Sequence, residues 1–128
     1  KWNTNDELAL VRTVQQAWRQ TLAKLGDTAH ASGSSFDRAV EVESARLRVL
    51  FAKAKTEHDF VRAFADFVSR AGPNRELRSA LRSVLQMLGP QTWMKARDLT
   101  LLALVSYSAS TGKAQEHGDP DEREKESV

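Results

Sequence analysis

The sequence predicts an all-α fold, a bundle of about five helices, and three observations carry that expectation. Apolar residues recur at spacings of three and four in five successive segments. No segment alternates apolar and polar residues as a half-buried strand does, and glycine, proline and capping residues punctuate the segments where helices would stop and start. A chain of 128 residues with 41% hydrophobic content can bury one core and not two, so residues 1–112 are expected to form a single helical domain.

The first segment opens on Thr4-x-x-Glu7, the pattern of a capping box, and carries Leu8, Val11, Val14, Trp18, Leu22 and Leu25 on one face before Gly26 is expected to end it. Asp27 to Ser35 is small and polar, with serines beside Gly33, and predicts a flexible loop. The second segment runs from about Phe36 to Lys55. Val40, Leu47, Leu50, Phe51 and Ala54 face its core side, and Glu43 interrupts the stripe where an apolar residue would fit better. Thr56 is placed to cap the third segment, in which Phe60, Phe64 and Phe67 recur at four and three, with Val61 and Val68 widening the face. Aromatic residues at that spacing are expected to be core wedges rather than a cofactor box or a base-stacking platform.

Gly72-Pro73-Asn74 and Gly89-Pro90-Gln91-Thr92 predict tight turns, with Asn74 and Thr92 placed to cap the helices that follow, so the helices they join should pack as antiparallel neighbours. Between these turns, Arg75 to Leu88 turns Leu77, Leu81, Val84, Leu85 and Leu88 to one side. At about 100° per residue, Arg75, Arg78 and Arg82 lie within roughly 60° of one another on the other side. The fifth segment, Trp93 to Ser108, is apolar on nearly every side through Leu99 to Val105. It is expected to be central or covered by another chain, with Leu102 fully buried.

The charge is unevenly placed. Six of the 17 acids but only three of the 19 bases fall in residues 113–128, so residues 1–112 hold 16 bases against 11 acids, with arginine in excess of lysine. The acidic segment contains Gly118 and Pro120 and almost nothing apolar, and predicts a disordered tail. The basic remainder favours phosphate or carboxylate partners, because a guanidinium binds either through two parallel hydrogen bonds. Glu76 is the one acid in its helix near the arginine stripe. Arg70, before the turn, and Lys95 and Arg97, after the next one, are placed to extend the patch. The competing reading of the stripe is a solvated helix face.

No enzyme chemistry is legible. His30, His58 and His117 lack metal-ligand spacing, and there is no cysteine, nucleophile elbow or glycine-rich phosphate loop, so no catalytic residue, metal or cofactor is expected. Glu57 and Asp59 are explained by the positive end of the helix they open, and Glu41 and Glu43 do not share a helix face. The absence of cysteine favours a reducing, cytoplasmic setting. No apolar run approaches the roughly 20 residues that span a bilayer, so no membrane association is expected. Trp18 and Trp93 are expected in core or interface packing rather than stacked on bases.

Three stretches together suggest a family. They are Phe60-x-x-x-Phe64-x-x-Phe67-Val68-Ser69-Arg70-Ala71-Gly72, Asn74-Arg75-x-Leu77, and the run from Trp93 to Tyr107. Over residues 36–108 the chain resembles the helical C-terminal part of large subunits from CRISPR-associated Cascade complexes of the Myxococcus-type branch, a part that can also be made separately as the small subunit. The start at Lys1 rather than Met fits such an origin within a larger gene. The resemblance implies a non-catalytic bundle present in more than one copy. Its partners would be other Cascade subunits, the guide RNA and the target DNA backbone, with no small-molecule substrate. The residues here that fit basic contacts of that kind are Arg70, Arg75, Arg78, Arg82, Lys95 and Arg97. The alternative is a protein-interaction module without nucleic-acid binding, its arginines meeting an acidic partner and its fifth helix buried in an oligomer.

Overall fold

The computed structural model describes the backbone of residues 3–117 and the side chains of residues 3–106. Its five helices are α1 (Thr4–Ser32), α2 (Phe36–Ala52), α3 (Glu57–Ala71), α4 (Arg75–Met87) and α5 (Trp93–His117), and no strand occurs among the described residues. The all-α expectation holds. α1 packs against each of the other four helices, while α4 lies on α1 and α3, and α5 lies on α1, α2 and α3. The helices joined by the Gly72 turn pack together, but those joined by the Gly89 turn do not: against the expectation of antiparallel neighbours, α4 and α5 do not pack on each other among the described residues and present separate surfaces. No helix among these residues is long and apolar enough to cross a membrane.

Helix starts are fixed by side chains that take up the free backbone N–H groups of the first turn. Thr56 Oγ1 accepts from the N–H of Asp59 at 3.1 Å and Asn74 Oδ1 from that of Leu77 at 2.8 Å, as the sequence predicts. At α1 the register differs by one residue. The cap is Asn3, whose Oδ1 accepts from the Asp6 N–H at 3.0 Å while the Asp6 carboxylate accepts from the Asn3 N–H at 3.0 Å. Thr4-x-x-Glu7 is therefore not the capping box, and Glu7 is released to pair with Lys95 at 3.0 Å.

The expected loop from Asp27 is also corrected. α1 runs through Gly26 and ends only where Gly33 adopts φ 74°, and the N–H of Ser34 returns to the Ala29 carbonyl at 2.9 Å. A mid-helix glycine costs about 1 kcal/mol. A Cβ on Gly26 would stand 3.7 Å from the Phe36 ring, an ordinary contact distance, so the ring does not demand glycine there; the helix continues and buries Ala29 beyond it. Packing outweighs propensity.

Phe51, Phe60, Phe64 and Phe67 form the densest part of the core, with ring centroids 5.6 to 6.3 Å apart and mostly tilted or edge-on. Leu10, Val14 and Trp18 of α1, Leu47 of α2, Leu77 and Val84 of α4, and Leu104 of α5 close around them. Leu102 overturns the expectation of full burial, because it is 64% exposed. α5 is apolar all round, yet the bundle covers the side that carries Ala96, Thr100, Ala103 and Leu104, with Leu99 and Leu101 at its margins, and Leu102 points about 160° away from Leu104. The expected disordered tail, residues 113–128, lies outside the described side chains, and from 118 onward outside the described residues.

Candidate nucleic-acid interface

The six basic residues singled out in the sequence fall into two groups. Arg75, Arg78 and Arg82 are exposed on α4, turned away from Leu77 and Val84, which anchor that helix in the core. Among the described residues none of the three forms an ion pair, Glu76 included. Their charge faces outward without a counter-ion among the described residues. Burial of the leucine side of α4 thus fixes the orientation of the arginine side, since both belong to one rigid helix.

The other three make contacts within the chain. Lys95 reaches back to Glu7 of α1 at 3.0 Å. Arg97 donates to the Ala54 carbonyl at 3.1 Å and to Asp98 at 3.3 Å, with its guanidinium 5.4 Å from the centre of the Trp93 ring. These bonds tie α5 to the end of α2 and use two of the five N–H donors of Arg97. Arg70, at the end of α3, donates from Nη2 to both oxygens of Glu43 at 3.3 and 3.4 Å and keeps half of its side chain exposed.

Glu43 is the residue that the sequence marked as a misfit, and the structure gives it a partner set. Its side chain is 10% exposed, and Arg46 grips it through two hydrogen bonds of 3.2 and 2.9 Å from the next turn of α2. Burial alone would raise its pKa. The hydrogen bonds and charge of Arg46, followed by those of Arg70, outweigh burial and hold the carboxyl below its ordinary value, so it stays ionised. Arg70 is 27 residues from Glu43 in sequence, and no local pattern announced that pairing.

Chemistry of other kinds finds little to work with. Among the described residues no group of three or more His, Asp or Glu side chains could hold a metal ion. Asp59 accepts the N–H of Lys55 at 3.1 Å, a bond that, with its place beside the Thr56 cap, lowers its pKa and accounts for it structurally. Clefts among the described residues flank the core. One, of about 160 Å³, is lined by Thr21, Lys24, Leu25, Thr28, Glu43 and Arg70, and another is an open groove between α2 and α3 that mixes Lys53 and Arg62 with Asp59 and Asp66.

The whole chain, residues 1–128, matches the model of the DevT C-terminal domain. The chain belongs to the DevT C-terminal domain family. It is also 43% identical over 114 residues to the CRISPR-associated protein Cas8a1/Csx13 of Myxococcus xanthus. That alignment takes in 88% of this chain and 20% of the relative, so the chain spans about a fifth of the length of the protein it matches. No solved structure matches the chain. The likeness to CRISPR-associated proteins expected from residues 36–108 thus extends beyond that stretch.

Proposed function

We propose that this DevT C-terminal domain is a non-catalytic part of a CRISPR RNA-guided surveillance complex. Its arginine face would hold the backbone of the guide–target heteroduplex or of the displaced strand. Membership of the family and the identity with Cas8a1/Csx13 support a CRISPR-related role. The observation that carries the nucleic-acid reading is the exposed row of Arg75, Arg78 and Arg82, without an acid partner among the described residues. A protein that supports an R-loop has to grip phosphates and has no need to read bases, because base pairing supplies the sequence information. Guanidinium groups on a rigid helix suit that task.

In this reading the chain works in the cytoplasm beside other Cascade subunits and further copies of itself, needs no cofactor, and acts on no small molecule. The test is replacement of Arg75, Arg78 and Arg82 together by alanine. Stability should be nearly unchanged, since exposed charges contribute little to folding. Affinity for single-stranded DNA or RNA should fall without change of sequence preference, and the slope of log affinity against log salt should become shallower by about 2, at roughly 0.7 per lost contact. Unaltered affinity and slope would mark the stripe as a solvated face.

A second reading, a protein-interaction module, is favoured by Met94, Leu102 and Val105, which are exposed on the outer side of α5 at 51%, 64% and 46%. Apolar side chains grouped in this way suit a protein contact, either with another subunit or with a second copy.

A further inference from the structure

The cleft between α1, α2 and α3 contains a cation that no sequence pattern singled out. Lys24 extends from the exposed side of α1, its Cδ 3.8 Å from where a Cβ on Gly72 would stand, and donates from Nζ to the Arg70 carbonyl at 3.0 Å. It therefore crosses the turn joining α3 to α4, a turn in which Gly72 adopts φ 123°. That carbonyl belongs to the last turn of α3, where the partial negative charge of the helix end favours an ammonium group. One of the three donors on Nζ is used there, leaving two.

We propose that Lys24 and Arg70 form a binding subsite for one nucleic-acid backbone phosphate, continuing the arginine row of α4 across the α3–α4 turn. The inference rests on the nucleic-acid reading and adds a residue and a place to it. Arg70 gives only Nη2 to Glu43, so Nη1 and Nε have no acceptor among the described residues. The hydroxyl of Thr28, on the cleft wall, has no protein partner among the described residues, whereas that of Thr21 is committed to the Ala17 carbonyl at 2.9 Å. A volume of about 160 Å³ has room for one phosphate group with a few waters, at roughly 30 Å³ per water.

The charges that meet here favour an anion. Lys24, Arg46 and Arg70 face two acids, Glu43 and Asp66, and among the described residues Asp66 pairs with Arg46 alone, at 3.8 Å. Glu43 is matched by the two-point grip of Arg46, and Asp27, the nearest acid along α1, does not line the cleft. Arg70 and Arg75 are separated only by the turn that Lys24 crosses, so a single strand following α4 would reach the cleft next.

The experiment compares the unsubstituted chain with Lys24→Met, Lys24→Arg and Lys53→Met in salt titrations of binding to a fluorescent oligothymidylate. Lys53 is an exposed cation lining the open groove between α2 and α3, and controls for the loss of any one charge. Lys24→Met should make the slope of log affinity against log salt shallower by about 0.7, the share of one phosphate on a single strand, and Lys24→Arg should restore it. Lys53→Met should leave the slope unchanged, and thermal melting should show all three variants folded. A Lys24→Met slope equal to that of the unsubstituted chain, while the triple arginine replacement still reduces it, would overturn the subsite and leave the α4 interface standing. An equal reduction in Lys53→Met would also overturn it, by showing a general effect of charge. Absence of oligothymidylate binding by the unsubstituted chain would overturn both.

Discussion

At the scale of single residues, the informative positions are polar atoms in or near the core. Glu43 is ionised and gripped by Arg46 and Arg70, with its carboxyl held below its ordinary value. The stability it contributes is therefore present in full above its unfolded-state pKa, near 4.5, and is lost as pH falls through the lower folded-state value. Denaturant unfolding followed from about pH 6 to pH 3 should show a weaker acid dependence in Glu43→Gln than in the unsubstituted chain. Equal dependence would mean that the Glu43 pairs do not persist in solution. Trp18 presents the opposite case. It is 2% exposed, and its Nε1–H has no hydrogen-bond partner among the described residues. An orphaned donor costs about 1 to 3 kcal/mol, so Trp18→Phe removes a penalty along with some packing and should destabilise by less than about 1.5 kcal/mol. Trp18→Ala, which leaves a cavity as well, should cost about 3 to 5 kcal/mol in the same denaturation measurement. The core location of Trp18 was legible from its place in an apolar stripe. The missing partner was not, because it depends on which neighbours from other helices surround the indole edge.

At the scale of the helices, periodicity and punctuation located every element, and errors arose where neighbours decide the outcome. The phenylalanine triad of α3 and the caps Thr56 and Asn74 follow from local spacing alone, and they are found as expected. Gly26 should have ended α1 by propensity, but the helix continues to Ser32 and buries Ala29 beyond it. Asn3 captured the cap position from Thr4 because Asp6 could complete the reciprocal pair while Glu7 turned to Lys95. α5 shows why hydrophobicity does not by itself establish burial. Its apolar residues surround the helix, and nothing in its own sequence says which side the bundle covers. The structure predicts a sharp contrast between two leucines on that helix. Leu104→Ala, at a fully buried position, should cost about 2 to 5 kcal/mol, while Leu102→Ala should change stability by less than about half a kcal/mol. Similar costs for the two would mean that the outer face of α5 is covered in the isolated chain.

At the scale of the whole molecule, the arrangement of α4 and α5 bears on how one small bundle could serve two contacts. The arginine row belongs to α4, the exposed Met94, Leu102 and Val105 belong to α5, and among the described residues these helices do not pack on each other. The sequence supplied both ingredients, but their separation is a property of the packing, in which α1 and α3 contact both helices. Basic and apolar surfaces that are separate can be occupied together, so nucleic-acid binding and subunit assembly need not compete. The two proposed roles should then respond to different substitutions. Leu102→Glu combined with Val105→Glu places two charges on the apolar face and should abolish association through it, because a buried unpaired carboxylate costs several kcal/mol. Since both side chains are exposed in the isolated chain, the double variant should still fold. Sedimentation velocity would follow self-association, and salt titration with a single-stranded oligonucleotide would follow the basic face. The expected result is loss of any self-association with the salt slope unchanged, the converse of the triple arginine replacement. Loss of nucleic-acid binding in the double glutamate variant with its fold intact, beyond the modest weakening that two added negative charges cause at low salt, would show that binding requires assembly through α5. The α4 row would then act only as part of a surface built from several copies.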